Sequence, residues 1–445
     1  MKFNAVLALS ALTQTALAFN GEFSVLSMNV VGLPAILQGN DVPGDRSVNT
    51  RLIGQKFSEL GLDIINVQED FNYHAKLYEG NSHPHRTATT GGVPFGSGLN
   101  TMSNFPWADF QRVKWDVCSN ASGADCLTPK GFTFMRVRIA GEGSAAVYAD
   151  VYNLHTDAGT EPDDLKARTS NMRQVAAHIQ KNSVGNPVIV FGDTNSRYSR
   201  VNDVGLRELI GSQNPSGPGL KDAWVELQRG GVTPTEESLC SNPSTTDSCE
   251  TVDKIFFRGS PLLDLKATAW SYYSTRFLQP DGNILSDHNP VFARLAYSSA
   301  QRLQQSDFVG GPHGNWYSDV PALVLQPKPK TSRIVLRGNK RVDSVGVQLA
   351  DGTTLRHGGG GGDERALDLA AGEFWTATTM CQAQRSGRTR VFYLKATTSK
   401  GRTVETGNRE GDCFDYAAPA GWQVVGFAGS DGDEMDRIAL VYARQ

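Results

Sequence analysis

Between Phe23 and Leu295, apolar strand-like runs repeatedly adjoin a residue that can hold a metal or move a proton, and this recurrence constrains the chain more than any other feature. Asn29 follows Ser27-Met28, Glu69 follows Asn66-Val67-Gln68, and His155 follows Tyr152-Asn153-Leu154. Asp193 and Asn195 follow the β-branched run at 188–191, which Gly192 is expected to stop, and Asp287-His288 precedes the run that starts at Pro290. A single Asp or Asn in such a place is most simply a turn former. Several at successive strand ends, on one rim of a sheet, are how α/β proteins gather a site.

Helical periodicity separates these runs. Ile53, Phe57 and Leu60 mark one helix, and Met172, Val175, Ala176 and Ile179 mark the face of another. Residues 23–28, 62–67, 147–154, 252–257 and 290–295 read as strands, so residues 19–297 are expected to form a mixed α/β domain. Residues 298–306 turn polar and glutamine-rich, which suits a linker, the reading adopted, or an exposed helix end. Residues 307–445 carry glycine clusters and short alternating runs such as 333–336 and 391–394, with almost no helical periodicity, and predict an all-β domain. The glycine run at 358–362 reads as a turn inside it, since no Gly-Lys-Ser/Thr follows to make a phosphate loop.

Lys2, the apolar stretch at 5–12 and Ala16-Leu17-Ala18 predict a signal peptide over residues 1–18, and with it a secreted, extracellular protein. Six cysteines in an exported chain predict disulfides, and closeness along the chain favours Cys118 with Cys126, Cys240 with Cys249, and Cys381 with Cys413. Asn120-Ala121-Ser122, between the first two cysteines, is a glycosylation sequon. A net charge of −3 supplies no basic stripe, so no stable nucleic-acid partner is expected.

The residue types point to an anionic ester. A rim of carboxylates repels a phosphate unless a hard cation lies between them, and Mg2+, or another divalent cation, takes oxygen ligands. Glu69 is the first candidate ligand and Asn29 a neutral oxygen partner; the cation would polarise the phosphoryl oxygen during in-line displacement. His288 is the group able to take a proton from water near neutral pH, with Asp253 or another acid, rather than Asp287, expected to orient it. His155 is expected to donate to a phosphate oxygen. Trp270, Tyr272, Tyr273 and Phe277 admit two readings: an exposed aromatic hairpin making peripheral membrane contact, or core strand.

Taken in order, Ser27-Met28-Asn29-Val30, Gln68-Glu69, Asn153-Leu154-His155, Gly192-Asp193-Thr194-Asn195, Val252-Asp253-Lys254-Ile255 and Ser286-Asp287-His288-Asn289-Pro290-Val291 resemble the motifs of the endonuclease/exonuclease/phosphatase superfamily over residues 23–295. The resemblance implies a four-layer, deoxyribonuclease-like α/β sandwich with a metal-dependent hydrolytic site on one rim. It implies Asn29 and Glu69 as the metal site, His155 and Asn195 as phosphate contacts, and Asp193 as the residue that positions the nucleophile. Asp287 with His288 would form the acid/base end, His288 being similar to the general base and Asp253 to the acid of the strand motif. Cys118 to Cys126 followed by Lys130-Gly131-Phe132, the His155 segment leading to Arg168-Thr169, and Trp270-Ser271-Tyr272-Tyr273 before Ser286 are placed as in secreted neutral sphingomyelinase-type phospholipases C. After His155 the chain departs from those enzymes, with Thr156-Asp157 in place of Leu-Gln.

Residues 309–314, 345–347, 357–362, 425–427 and 429–438 resemble the jacalin-type lectins, which implies a three-sheet β-prism. The implied sugar site combines Gly314 with the loop carrying Asp433, Glu434 and Asp436, where a fixed carboxylate accepts two hydroxyl hydrogen bonds; the alternative is that Asp436 only caps the turn. The leading expectation is therefore a secreted phosphodiesterase acting on a phospholipid headgroup and held on glycan-bearing surfaces. Its rivals are a secreted nuclease or inositol-phosphate phosphatase of the same superfamily, and a lectin whose first domain has lost catalysis.

Overall fold

The computed structural model describes residues 19–34, 41–299 and 302–445; the predicted leader at 1–18 lies outside them. Two compact units emerge, one of Asn20–Gly141 with Val147–Ala300, the other centred on Gln301–Gln445 and including Glu142–Ala146.

The first unit begins with β1 (Asn20–Asn29), α1 (Arg46–Glu59), β2 (Ile64–Gln68), α2 (His74–Gly80), β3 (His85–Arg86) and β4 (Asn100–Ser103). There follow β5 (Trp107–Lys114), β6 (Gly131–Ala140), β7 (Val147–His155), α3 (Pro162–Asn182) and β8 (Val188–Asp193). The unit closes with β9 (Lys221–Asp222), α4 (Ala223–Gln228), β10 (Asp253–Arg258), β11 (Leu263–Tyr272) and β12 (Val291–Ser299). One sheet has the order β11-β12-β1-β2-β4-β3 and the other β5-β6-β7-β8-β10-β9.

Strand alternation explains how these sheets become inner layers. Ile65 and Val67 of β2 pack with Leu26 and Met28 against Ile53 and Phe57 of α1. Asn66, between them, faces the other sheet, where its Nδ2 donates to the carbonyls of Tyr152 and Phe191, both at 3.1 Å. On the far side Met172, Val175 and Ile179 of α3 cover Phe134, Tyr152 and Val190. The result is helix, sheet, sheet, helix. The helices start where their caps dictate: Asp45 accepts from the Val48 N–H at 3.0 Å, and α3 opens on Pro162 behind a Glu161–Asp164 capping box.

Two expectations need correction here, and one open alternative is decided. Gly192 does not end β8, which runs on to Asp193; the glycine is required because a Cβ there would lie 2.1 Å from the Leu154 carbonyl oxygen of the neighbouring strand. The aromatic stretch is not an exposed hairpin, since Trp270 is 5% and Phe277 2% exposed, and Tyr272 is buried too, so the core reading holds. Among its described residues the polar stretch at 298–306 is largely strand: β12 reaches Ser299, and β13 (Leu303–Gln305) alternates with Leu303 and Gln305 buried.

The second unit continues with β14 (Val309–Gly310), β15 (Asn315–Ser318), α5 (Val320–Val324), β16 (Thr331–Gly338), β17 (Val342–Leu349), β18 (Thr354–Gly358) and β19 (Asp363–Asp368). Then come β20 (Trp375–Arg385), β21 (Arg388–Thr398), β22 (Thr403–Gly407), β23 (Asp412–Ala417), β24 (Trp422–Asp431) and β25 (Met435–Arg444). They build three sheets, β13-β25-β24-β15 with β14 on β25, β18-β17-β16-β19, and β22-β21-β20-β23. Each contributes to a common core, with Trp375 set edge-on to Phe427 at 5.7 Å, and the architecture is an all-β prism. The cysteines pair as Cys118–Cys126, Cys240–Cys249 and Cys381–Cys413, the last pair directly opposed on β20 and β23.

Candidate active site

Strand direction alone collects the predicted residues. β1 with β2, and β7 with β8, run parallel, so Asn29, Glu69, His155 and Asp193 all emerge at C-terminal strand ends. β10 is antiparallel to β8 and β12 to β1, so Asp253, at the start of β10, and His288, just before β12, reach the same rim from their N-terminal ends. Register then sets His155 beside Asp193 and Asp193 beside Asp253 on neighbouring strands.

Asp193 is the hub. Its Oδ2 lies 3.3 Å from Asn29 Nδ2, 3.4 Å from His155 Nε2 and 3.8 Å from His288 Nε2, while its Oδ1 accepts from the Asn195 N–H at 2.9 Å. Behind His288, Asp253 Oδ2 takes the Nδ1 side at 2.8 Å, so Asp253 rather than Asp287 holds the ring. Glu69, His155, Asp193, Asn195, Asp287 and His288 line one cavity of about 880 Å3. Two of the residues have left-handed backbones, Glu69 at φ 56° and Asn195 at φ 47°, a strained conformation for a side-chain-bearing residue. At Glu69 it is held by the N–H groups of Gly32 and Phe71, both donating to its carbonyl at 2.9 Å.

The electrostatics follow from burial in a field of mixed charge. Burial raises the Glu69 carboxyl above its ordinary value, against the lowering influence of Lys130, Asn29 and His288. Burial also works on His155, with the Lys130 charge adding to it, and takes that imidazole down to about 3. For Asp193 burial pushes upwards, but His288, His155, the Asn195 N–H and Lys130 outweigh it, and the carboxyl sits below the usual range. Asp253 is pushed up to about 6 by burial. For His288 burial is overcome by the charges of Asp253 and Asp193, the hydrogen bond to Asp253 and the charge of Asp287, so the imidazole is held well above its ordinary value.

The donor set suits a hard cation. Glu69 Oε2 and Asp287 Oδ1 are shut off from solvent without a hydrogen-bond partner, an expensive condition for carboxylates that a cation relieves. Asn29 turns its Nδ2 to Asp193 and its Oδ1 to the Val31 N–H at 3.0 Å, so the oxygen expected to be a free neutral ligand has one lone pair engaged and one left. Among the described residues the one group of three acids and histidines with ligand atoms within 4.8 Å is Asp193, Asp253 and His288, without Glu69. There the imidazole proton already joins Asp253 to His288.

Reading strand ends missed Lys130, which lines the cavity and forms an ion pair with Asp125 from the loop closed by Cys118–Cys126. It also missed the support behind the rim. Arg168 and Asp203 form a buried pair at 3.1 Å, and Asp203 accepts from Ser196 Oγ at 2.8 Å, bracing the turn after Asp193. Other motif residues brace the sheets instead: Gln68 Nε2 donates to Asn153 Oδ1 at 2.8 Å, and Asn153 Nδ2 to the carbonyls of Val67 and Asn100.

In the second unit Gly314, Asp433, Glu434 and Asp436 converge. A Cβ on Gly314, whose φ is 74°, would lie 2.4 Å from Asp436 Oδ2, and one on Gly359 would meet the Asp433 carbonyl at 2.2 Å, which explains the glycine run beside this loop. Arg390, which no sequence signal marked, pairs with Asp436, while Arg341 and Arg385 hold Glu434.

Fold and rim together define a two-sheet α/β sandwich carrying a carboxylate–histidine cleft, followed by a β-prism. Residues 50–294 match the Endonuclease/Exonuclease/phosphatase family 2, and the chain belongs to that family. Residues 306–441 match the Jacalin-like lectin domain. The sphingomyelinase of Mycobacterium bovis is 36% identical over 285 residues, covering 62% of this chain and 53% of that protein, and a sphingomyelinase of Mycobacterium tuberculosis gives the same figures. The chain thus spans about half the length of these curated relatives. Among solved structures, beta toxin from Staphylococcus aureus is similar at 17% identity and TM-score 0.43, over 61% of this chain and 99% of its own. A mannose binding jacalin related lectin from Ananas comosus is similar at 22% identity and TM-score 0.28, over 32% of this chain and 99% of its own.

Proposed function

We propose that the first unit is a divalent-cation-dependent phosphodiesterase of the sphingomyelinase type, hydrolysing a phospholipid headgroup, in a secreted protein whose second unit binds glycans. The carrying observation is one cavity that holds a Glu69 carboxylate with one unpartnered oxygen, the Asp193 hub and a His288 ring fixed by Asp253 at 2.8 Å. The likeness to two sphingomyelinases supports the substrate class, and three disulfides support export.

Glu69, with Asn29 beside it, would hold the cation. Held there, a cation would polarise a phosphoryl oxygen, and its positive charge would favour the base form of His288. Asp193 orients a water, and His288 Nε2 takes its proton as the oxygen attacks phosphorus in line with the departing oxygen, which leaves as the alcohol by taking a proton from water. Asp253 keeps Nδ1 occupied, so Nε2 is the nitrogen left for this transfer. His155 and Asn195 bind the phosphate oxygens, and Lys130 adds positive charge to the same wall. The second unit raises the local enzyme concentration at a glycan-bearing surface.

Release of phosphocholine from sphingomyelin in Mg2+ is the test. Chelator, or His288→Ala, is expected to reduce the rate by roughly a hundredfold or more. Absence of turnover by the wild-type chain on sphingomyelin and phosphatidylcholine would end this reading.

A further inference from the structure

Trp270, Tyr272 and Phe277 are buried, and large apolar side chains are exposed elsewhere on the first unit. Phe95 is 80% exposed and Leu127 66% exposed. Both stand on loops that wall the cavity: Val93 and Pro94, immediately before Phe95, line it, and so does Leu127. Neither loop is slack. The N–H groups of Phe95 and Gly96 both donate to the Gly92 carbonyl at 2.9 Å, and the Leu127 N–H donates to Ala124 at 2.9 Å next to the Cys118–Cys126 disulfide. Leu33 and Phe71 extend the apolar wall, while Glu69, Asp193 and His288 supply polar and charged groups to the same cavity.

A cavity that combines apolar walls with a charged reaction centre is complementary to an amphiphile whose phosphate enters and whose hydrocarbon stays outside. Two large apolar groups held towards solvent on loops of one cavity wall put apolar surface beside its charged centre. We infer that Phe95 and Leu127 are the interfacial contact of this protein, seating in the acyl boundary of a phospholipid bilayer so that a headgroup diester is drawn into the cavity without the lipid leaving the membrane. The inference rests on the phospholipid reading above and adds the face by which the enzyme meets its substrate. An aromatic ring and a branched aliphatic side chain are the chemistry of that layer.

Cosedimentation of the full chain with vesicles of sphingomyelin and phosphatidylcholine, free of glycolipid and in chelator, separates binding from turnover and from the glycan-binding unit. Phe95→Asp and Leu127→Asp are each expected to lower partition roughly tenfold or more. Val201→Asp, which alters an 84% exposed residue outside the cavity wall, is expected to bind as wild type. Phe95→Trp is expected to keep wild-type partition, which distinguishes lost contact from lost folding. Wild-type partition by both aspartate variants, or failure of the wild-type chain to bind such vesicles, would overturn the proposal and leave this face to a protein or glycan partner. Turnover of detergent-dispersed sphingomyelin in Mg2+ judges the enzymatic reading separately: turnover with Phe95-independent binding sinks the surface alone, and Phe95-dependent binding without turnover sinks the enzyme alone.

Discussion

Glu69 carries a cost that a folded chain has little reason to accept without a ligand: a carboxylate oxygen cut off from water and from every donor, on a left-handed backbone. Glu69→Gln keeps the shape and removes the charge. The variant is expected to melt no lower than wild type in chelator, to lose the rise in melting temperature that Mg2+ gives the wild-type chain, and to lose most activity; calorimetry with and without Mg2+ reads the first two. His155 makes the opposite bargain, staying neutral because it is buried. Its folded pKa, about 3, lies below the ordinary 6.5, so as pH falls below 6.5 the unfolded chain gains a proton that the folded chain refuses. Its contribution to stability is therefore intact above pH 6.5 and declines steadily towards pH 3. Urea unfolding in chelator should show a shallower loss over that window for His155→Gln than for wild type; identical slopes would mean the ring is not desolvated.

At the scale of elements, the strand runs and the helix faces were legible because period-2 and period-3.6 patterns are local. What Gly192 does was not. It reads as a stop signal, but its role is set by the Leu154 carbonyl, a contact made by a different strand. Gly192→Ala is expected to cost about 1–3 kcal/mol, measured by urea denaturation, and to reduce turnover beyond that loss because Asp193 is the next residue. The aromatic stretch at 270–277 shows the same limit. Trp, Tyr and Phe suit a wet interface and a dry core equally, and only the packing around β11, with Trp270 against Trp224 and Tyr272, decides for the core. Phe95 had no periodic neighbours to make it stand out, and its exposure came from the turn at Gly92.

For the whole molecule, the reading of two units with separate tasks makes a reciprocal prediction. His288→Ala is expected to abolish phosphodiester hydrolysis and leave binding to a glycan array unchanged, whereas Asp436→Ala is expected to reduce glycan binding and leave hydrolysis of dispersed sphingomyelin intact. Paired loss from either change would refute the division. The amino-acid order by itself determined the two fold classes and the polar residues that adjoin the strands, since each depends on short-range pattern and chain direction; for the cysteines it gave a preference by nearness, which the structure bears out. Tertiary structure alone decided that Lys130 joins the cavity wall, that Arg390 faces Asp436, and which aromatic residues meet solvent. Those facts depend on which distant strands become neighbours, and side-chain periodicity along one strand carries no record of the strand across from it.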